Sequence, residues 1–295
     1  MWKSKHIFIH DYKLVDYFLK NDLLPFLDTQ KDLDYFFIRY WNGGPHIRLR
    51  YKLYENSNDK ELINNIENIL KNFKEKHSEH AFEPVSYNKD VTEMENIKPD
   101  KIYPNYSIQD IEYEPEYQRY GGKSVMGMSE KLFIESSKFA STIIQNFEQN
   151  LRYSIVIDIM YECGKIAVDT GYCNDLIEFF TAYKNIWSRF EISKDIPKLD
   201  KVISRRMEVL DKNVSSQSFY SHYLNEYKKS LECIKENQSV YEGYNIMYIA
   251  ISHIHMLNNR LGVSPENEYR FSNIFIQLLS EKNFKSEDKL CGSLV

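Results

Sequence analysis

Residues 36–50 read FFIRYWNGGPHIRLR, and this stretch decides the fold of the N-terminal part of the chain. Its two halves are rich in aromatic and β-branched residues, which is typical of β-strands. Between the halves, the segment Asn42-Gly43-Gly44 supplies residues that accept the positive φ angles of a tight turn. The stretch therefore predicts a β-hairpin whose strands cover residues 35–41 and 46–51.

The residues on either side of the hairpin alternate between strand-like and helix-like patterns. Residues 2–10 and 82–87 have the composition of strands, whereas residues 12–26 and 59–77 repeat apolar side chains at helical spacing. The predicted order is therefore β-α-β-β-α-β, which is the split βαβ or ferredoxin-like pattern. We expect residues 1–90 to form this ferredoxin-like part.

The rest of the chain predicts a different organisation. Residues 91–124 contain prolines, tyrosines and a Gly-Gly pair with little periodicity, which indicates a long ordered connection. Residues 125–295 form the helical part and are expected to pack with the first part as one compact unit, in an α+β fold. The predicted helices, each with an apolar stripe, cover residues 128–148, 150–169, 173–190, 195–212, 216–237, 241–261 and 265–282.

The composition of the 295 residues limits the classes of protein that fit. A hydrophobic content of 42% supports a folded core and excludes a disordered chain. The 38 basic and 43 acidic side chains give a net charge of −5, which argues against a general nucleic-acid binder. Four cysteines without a CxxC pair favour reduced thiols over a disulfide framework or a zinc site. The lack of a signal peptide and of a long apolar run predicts a cytoplasmic protein without a membrane span.

The second strand of the predicted hairpin carries the first candidate site. Because side chains alternate along a strand, His46, Arg48 and Arg50 share one face, while Ile47 and Leu49 point into a core. Three potentially cationic groups repel one another unless an anion lies among them, and guanidinium groups bind carboxylates bidentately. The face is therefore a candidate site for a carboxylate ligand. A solvated face with salt bridges to nearby carboxylates fits the spacing equally well.

Two further motifs contain candidate residues. In EYQRYGG (116–122) the Gly-Gly pair permits a sharp turn that directs Arg119, although a lone arginine is more often part of a structural ion pair. In the helix around residue 255, His255 and Asn259 share a face but His253 and His255 do not, which excludes a two-histidine metal site. A single histidine there is either a core residue or a general acid or base, and taken alone the core interpretation is favoured.

The three motifs FFIRY-x-x-GGPHIRLR, E-Y-x-RYGG and H-M-x-x-NRLG occur in this order along the chain. Together they resemble the C-terminal domain of class I lantibiotic dehydratases, which has stand-alone relatives in thiopeptide and related bacteriocin pathways. The resemblance covers nearly the whole chain. In that family, glutamyl-tRNA is used to esterify Ser or Thr of a precursor peptide. The C-terminal domain then eliminates glutamate, which leaves dehydroalanine or dehydrobutyrine.

The resemblance assigns roles to residues of this chain. The catalytic candidates are Arg48 and Arg50 from the HxRxR motif, Arg119 from the RYGG motif and His255 from the last motif. The substrate-binding candidates beside them are Arg39, His46, Tyr120 and Asn259. His255 would transfer the proton, and the sequence leaves the roles of base and acid both open.

The resemblance also implies the partners of the chain. We expect the elimination subunit of a split tRNA-dependent dehydratase, acting on a ribosomal precursor peptide with a leader and accompanied by a separate glutamylating subunit. No cofactor, no metal ion and no direct contact with nucleic acid are expected, and a homodimer is compatible with the family.

Two alternative functions remain open at the level of sequence. A thiopeptide pyridine synthase joins two dehydroalanines in a formal [4+2] cycloaddition and releases the leader peptide. That reaction handles no glutamate, so the arginines favour elimination. The second alternative is a non-catalytic subunit that binds the leader peptide, for which the hairpin could offer an edge strand.

Overall fold

The structure is a computed structural model that describes residues 1–54, 58–87, 92–93, 98–190, 196–212, 219–237 and 246–292, with side chains as far as residue 282. The α+β fold class is confirmed, because a small antiparallel sheet near the N-terminus is followed by a mainly helical region. The chain divides into two compact units. The sheet unit contains Met1–Pro115, Phe133–Gln149 and Asn259–Gly262, and the helical unit contains Glu116–Leu132, Asn150–Asn258 and Val263–Val295.

The sheet has four strands in the spatial order β2-β3-β1-β4, and neighbouring strands are antiparallel. The strands are β1 (Lys3–Phe8), β2 (Leu33–Tyr40), β3 (His46–Leu53) and β4 (Ser107–Asp110). The helices are α1 (Tyr12–Phe18), α2 (Leu24–Asp28), α3 (Asp59–Lys76), α4 (Met126–Asn146), α5 (Gln149–Asp169), α6 (Leu176–Ile186), α7 (Leu199–Lys212), α8 (Ser221–Glu236), α9 (Ile246–Arg260) and α10 (Pro265–Gly292). A π-helical turn (Leu19–Leu23) joins α1 to α2, and a 3₁₀ turn (Ser188–Phe190) follows α6.

The predicted hairpin is confirmed and forms the centre of the sheet. Strand β3 pairs with β2 on one side and with β1 on the other, so both of its edges are hydrogen-bonded. Ile47 and Leu49 are fully buried, as the alternation of side chains predicted. The turn between β2 and β3 contains Gly43 and Gly44 at φ angles of 90° and 105°, which side chains with a Cβ atom rarely adopt.

The predicted strand over residues 82–87 is wrong. These residues form no strand, and the fourth strand is β4, which lies in the segment predicted to be a connection. Pro84 cannot donate a backbone hydrogen bond to a ladder, which disfavours a strand at this point. The aromatic ring of Phe82 instead packs edge-to-face on Tyr106, with 5.5 Å between the ring centroids.

The helices of the sheet unit begin and bend where the sequence places polar residues and proline. The carboxylate of Asp11 caps α1 by accepting hydrogen bonds from the backbone nitrogens of Lys13 and Leu14. The helix predicted over residues 12–26 passes through the π-helical turn just before Pro25. Because proline lacks a donor and its ring crowds the preceding turn, the wider π-turn relieves this clash.

The helical unit contains a buried ion pair that joins two of its helices. The carboxylate of Asp158 on α5 is fully buried, and it accepts a hydrogen bond of 2.7 Å from Nε of Arg206 on α7. The Arg206 guanidinium also donates to the second carboxylate oxygen, to which the hydroxyl of Tyr220 donates over 2.7 Å. A buried charge is tolerated only when it is paired and hydrogen-bonded, and these contacts satisfy that requirement.

The helices predicted after residue 125 are all present in the described part of the chain. Residues 195, 216–218 and 241–245 of those predictions lie outside the described residues. No helix among the described residues has the length and apolarity needed to cross a membrane. Cys163, Cys173 and Cys233 are free thiols.

The turn between β2 and β3 makes a prediction about stability. A Cβ atom at Gly44 would lie 2.7 Å from Nε2 of His10, at a φ angle that favours glycine. We expect Gly44→Ala to lower the free energy of unfolding by about 1–3 kcal/mol, measured by urea denaturation. Gly127→Ala is the matched control, because no atom lies within 4 Å of its Cβ position. Equal stability of the two variants would contradict the strain assigned to this turn.

Candidate functional site

The face of β3 that carries His46, Arg48 and Arg50, called the arginine face below, is partly exposed at Arg48. Its guanidinium carbon lies 3.3 Å from the centroid of the Tyr40 ring, and its Nε donates a hydrogen bond of 3.3 Å to Nε2 of His46. His46 in turn donates from Nδ1 to the carbonyl oxygen of Gly44 over 2.7 Å. Stacking on an aromatic ring fixes the plane of the guanidinium group, so its N–H groups point sideways along that plane.

His46 does not contribute a positive charge to this face at neutral pH. It is 1% exposed, and burial lowers the pKa of His46 to about 3, with a further contribution from the charges of Arg48 and Arg50. Its ring stacks on His6 at 4.8 Å. Burial, together with His46 and the two arginines, lowers the pKa of His6 to about 2. The face therefore carries two cations where the sequence allowed three, and His46 orients Arg48 as a neutral acceptor.

Arg50 lies deeper in the sheet unit than Arg48. It is 7% exposed, and its guanidinium carbon lies 5.7 Å from the ring centroid of Phe36 and 5.4 Å from that of Tyr113. A guanidinium group stays charged when buried because its pKa is far above the physiological range. Arg50 thus places a permanent positive charge in a buried position on the strand that carries the partly exposed Arg48.

Arg39 and Asn259 are in contact with each other within the sheet unit. The carboxamide of Asn259 accepts from the backbone nitrogen of Arg39 and donates to its carbonyl oxygen, both over 2.9 Å. The Arg39 guanidinium donates to the carboxylate of Asp16 over 2.6 Å and to the carbonyl oxygen of Arg260 over 2.9 Å. The Asn259 side chain therefore continues the hydrogen bonding at the edge of β2, and these contacts support a structural role for both residues.

Arg119 belongs to the helical unit and projects from a tight turn. Its backbone nitrogen donates to the carbonyl oxygen of Glu116 over 3.0 Å, and Gly121 and Gly122 follow at φ angles of 87° and 102°. Nε of Arg119 donates to the hydroxyl of Ser252 on α9 over 3.2 Å, and Nη1 donates to the Glu116 carboxylate over 3.3 Å. The Gly-Gly pair thus adopts the positive φ angles of a sharp turn, as the sequence predicted.

Tyr120, the neighbour of Arg119, is 3% exposed. Its ring lies 5.1 Å from that of His253, and Nε2 of His253 lies 3.3 Å from the hydroxyl of Ser129. Tyr120 therefore anchors the turn that carries Arg119 to α9 and α4. Its ring is part of the packing of the helical unit.

His255 lies one helical turn after Ser252 and forms a buried hydrogen-bonded pair with an acidic residue. Its Nδ1 is 2.9 Å from Oε1 of Glu268 on α10, and the Glu268 carboxylate is fully buried. The second carboxylate oxygen accepts a hydrogen bond of 2.5 Å from the hydroxyl of Tyr183 on α6. The imidazole ring also packs against Trp187, with 4.5 Å between the ring centroids.

The structure brings the second and third motifs together within the helical unit. Residues three apart on a helix are neighbours on its surface, so Ser252 places the Arg119 guanidinium on the turn of α9 that precedes His255. Within the sheet unit, His46, Arg48 and Arg50 share one face, as predicted.

Several partners of these residues were missed at the level of sequence. Two of them have a sequence signal: Ser252 lies at helical spacing from His255, and Glu116 lies three positions before Arg119 in the quoted motif. No sequence signal connects His255 with Glu268, Tyr183 or Trp187, because they lie on other segments of the chain.

The arrangement combines an arginine with a histidine whose ring nitrogen bonds a carboxylate. An arginine binds a carboxylate or a developing negative charge, and a histidine oriented by a carboxylate can transfer a proton. No group of three or more His, Cys, Asp or Glu side chains in the described ranges is arranged to hold a metal ion. Proton transfer and anion binding are the chemistry that these residues supply.

The sequence model of one protein family, described as "Lantibiotic biosynthesis dehydratase C-term", matches residues 2–278. The chain belongs to this family, which confirms the resemblance drawn from the three motifs. None of the curated proteins compared with the chain matches its sequence.

Three solved structures have a similar fold. The first, "Pyridine synthase, TbtD, from thiomuracin biosynthesis", has 11% identity and a TM-score of 0.58, with 95% of this chain and 98% of that chain covered. The second, the tRNA dependent lantibiotic dehydratase MibB from Microbispora sp. 107891, has 15% identity and a TM-score of 0.53. It aligns with 97% of this chain, which spans 28% of MibB. The third, TsrL, has 11% identity and a TM-score of 0.65, with 96% and 95% covered. At these identities the likeness is one of fold.

The buried histidines of the sheet unit make stability depend on pH. His6 and His46 titrate near 6.5 in an unfolded chain but at about 2 and about 3 in the folded protein. The folded state therefore disfavours their protonation, and stability present above pH 6.5 is lost as the pH falls. Each histidine contributes a loss of up to about 1.4 kcal/mol per pH unit below 6.5.

We expect His6→Phe to flatten the fall in the free energy of unfolding between pH 7 and pH 5, measured by urea denaturation. The wild-type chain and His222→Gln, altered on α8 outside this cluster, should keep the steeper slope. An unchanged slope in His6→Phe would contradict the buried neutral state of His6.

Proposed function

We propose that the chain eliminates glutamate from glutamylated Ser or Thr of a precursor peptide, leaving dehydroalanine or dehydrobutyrine. The observation that carries this proposal is the hydrogen bond from Arg119 to Ser252 on α9, three residues before His255 on the same helix. The glutamyl group of the ester carries a free carboxylate that a guanidinium binds, and the histidine is available for proton transfer beside it. Membership of the dehydratase C-terminal family supports the same reaction class.

The proposed reaction balances without an oxidant or a reductant. A base removes the proton from Cα of the esterified residue, and the electrons of that bond form the Cα=Cβ double bond. The bond between Cβ and the ester oxygen breaks, and glutamate leaves as a carboxylate. The Cα proton is weakly acidic, so the enzyme has to stabilise enolate character on the neighbouring carbonyl oxygen. In this proposal His255 transfers the proton, and Arg119 binds the negative charge of the substrate.

The sheet unit carries a separate candidate for anion binding on its arginine face. We propose that Arg48 binds a carboxylate there, because it is partly exposed and Tyr40 and His46 hold the plane of its guanidinium group. Arg50 raises the local positive potential from a buried position. Tyr120 supports the turn that carries Arg119 through its ring contact with His253, whereas Arg39 and Asn259 bond to each other at the edge of β2.

The proposed reaction also requires a substrate and a partner subunit. We infer a ribosomal precursor peptide with a leader as substrate and a separate subunit that attaches the glutamate.

We also propose a ferredoxin-like topology for the sheet unit, which is supported by the element order β1-α1-β2-β3-α3-β4 and the spatial order β2-β3-β1-β4.

The second candidate function is that of a pyridine synthase. It is favoured by the fold shared with TbtD over 98% of the length of that chain. Its substrate would contain two dehydroalanines and no glutamate, so it would offer no glutamyl carboxylate to an arginine. Elimination remains our first proposal for this reason.

The proposal is tested with a synthetic peptide that carries one glutamyl-Ser ester. Incubation with the protein should give a peptide lighter than its unmodified Ser form by the mass of one water, detected by mass spectrometry. His255→Ala should leave the ester intact while its circular dichroism spectrum stays that of the wild type.

If the ester survives in the wild-type reaction, the elimination proposal fails. The same protein is then given a leader-bearing peptide with two dehydroalanines, where release of the leader with formation of a pyridine establishes the second candidate. Precursor binding without either reaction identifies a leader-binding subunit.

The role of Arg119 gives a prediction about substrate affinity. Loss of a charge-assisted hydrogen bond costs about 1.5–3 kcal/mol, so Arg119→Gln should raise KM for the ester peptide by roughly 10- to 100-fold. Arg205→Gln is the control, because Arg205 lies exposed on α7. A wild-type KM in Arg119→Gln would remove Arg119 from the binding site.

A further inference from the structure

We propose that a directional hydrogen-bond chain, Asn258 to Tyr183 to Glu268, holds His255 in the tautomer with a proton on Nδ1 and thereby makes Nε2 the base of the elimination. This inference rests on the proposed function for the identity of the reaction. Glu268 and Tyr183 are positioning residues in it, because they act on the substrate only through His255.

The contacts of Glu268 define the chain. Its carboxylate is fully buried and receives two hydrogen bonds, one on each oxygen. Oε1 is 2.9 Å from Nδ1 of His255, and Oε2 is 2.5 Å from the hydroxyl of Tyr183. An ionised carboxylate only accepts hydrogen bonds, so Nδ1 of His255 has to carry a proton to bond with it.

The direction of the bond from Tyr183 is set by a second neighbour. The side-chain amide of Asn258 donates to the Tyr183 hydroxyl over 3.3 Å, so the hydroxyl acts as acceptor on that side. Burial, followed by the charge of Glu268, raises the pKa of the Tyr183 phenol well above its usual value. The phenol therefore keeps its proton and donates a hydrogen bond to Glu268.

The consequence for His255 follows from the chemistry of imidazole. In the neutral ring one nitrogen carries the proton and the other accepts hydrogen bonds. A nitrogen that faces a hydrogen-bond acceptor is the one that keeps the proton. With the proton on Nδ1, the lone pair of Nε2 is available to accept the Cα proton. The imidazolium formed in that step is stabilised by the carboxylate of Glu268. The hydrogen-bond chain thus assigns His255 the role of base, which the sequence had left open between base and acid.

The groups around His255 come from three helices. Glu268 faces it from α10, Tyr183 and Trp187 lie on or just after α6, and Ser252 on its own helix α9 carries the bond to Arg119. Glu268 is the acidic group bonded to the ring, and Trp187 is the aromatic group packed against it. Replacing Glu268 therefore removes the negative charge bonded to the ring.

The direction of the chain makes an unusual prediction for Glu268→Gln. Tyr183 still needs an acceptor, so the amide oxygen of the new side chain turns toward Tyr183 and its NH₂ group turns toward Nδ1 of His255. Nδ1 then becomes an acceptor, and the ring proton moves to Nε2. Removing the Tyr183 hydroxyl as well, in the double variant Glu268→Gln with Tyr183→Phe, frees the amide to turn over and restores the proton on Nδ1.

The tautomer is measured directly by ¹⁵N NMR of labelled protein at a pH where His255 is neutral, with the signal assigned by comparison with His255→Gln. We expect the wild type and Tyr183→Phe to have the proton on Nδ1, Glu268→Gln to have it on Nε2, and the double variant to return to Nδ1. This measurement needs no substrate, so it is independent of whether the chain eliminates glutamate.

The kinetic measurement uses the glutamyl-Ser ester peptide. Glu268→Gln should lower kcat by about 100-fold or more at unchanged KM, because a base in the wrong tautomer loses the contribution of general base catalysis. The kcat of the double variant should be at least about tenfold higher than that of Glu268→Gln. A role of Glu268 in packing alone predicts further loss in the double variant.

The outcomes separate the two proposals. A wild-type tautomer in Glu268→Gln, or no recovery in the double variant, overturns the directional chain even if the protein eliminates glutamate. The expected tautomers together with an inert ester peptide support the chain of hydrogen bonds and overturn the proposed function.

Discussion

The buried carboxylate of Glu268 is the constraint on which the helical unit depends. A carboxylate removed from water has to be hydrogen-bonded on both oxygens, because an unpaired buried charge costs several kcal/mol. Here the two bonds come from His255 on α9 and Tyr183 on α6, while Glu268 itself lies on α10. The same requirement therefore joins three helices and fixes the orientation of the histidine ring.

The sheet unit follows a different rule, in which burial decides which basic groups stay charged. Desolvation favours the neutral form of a histidine, whereas a guanidinium group cannot lose its proton in the accessible pH range. His6 and His46 are therefore neutral neighbours of Arg48 and Arg50. The result is a face with two permanent cations held by aromatic rings and a neutral acceptor, which suits an anionic ligand.

Much of the fold could be predicted from local patterns. The hairpin, the first helix and strand, and the helices after residue 125 follow from periodicity, glycine pairs and capping residues. The fourth strand could not be predicted, because β4 has only four residues and exists through its pairing with β1. Residues 82–87 have a more strand-like composition, yet they form no strand. Pro84 cannot donate to a ladder, and Phe82 packs on Tyr106.

The sequence by itself determined the alternation of Arg48 with buried residues, the turns at the two glycine pairs, the helical spacing around His255 and the family. These features follow from backbone geometry and from motifs that are contiguous in the chain. Only the tertiary structure decided that His46 is neutral, that Asn259 bonds the backbone of Arg39, and that Glu268 and Tyr183 hold His255. The physical reason is that burial and hydrogen-bond partners depend on residues far apart in sequence, whose approach no local pattern records.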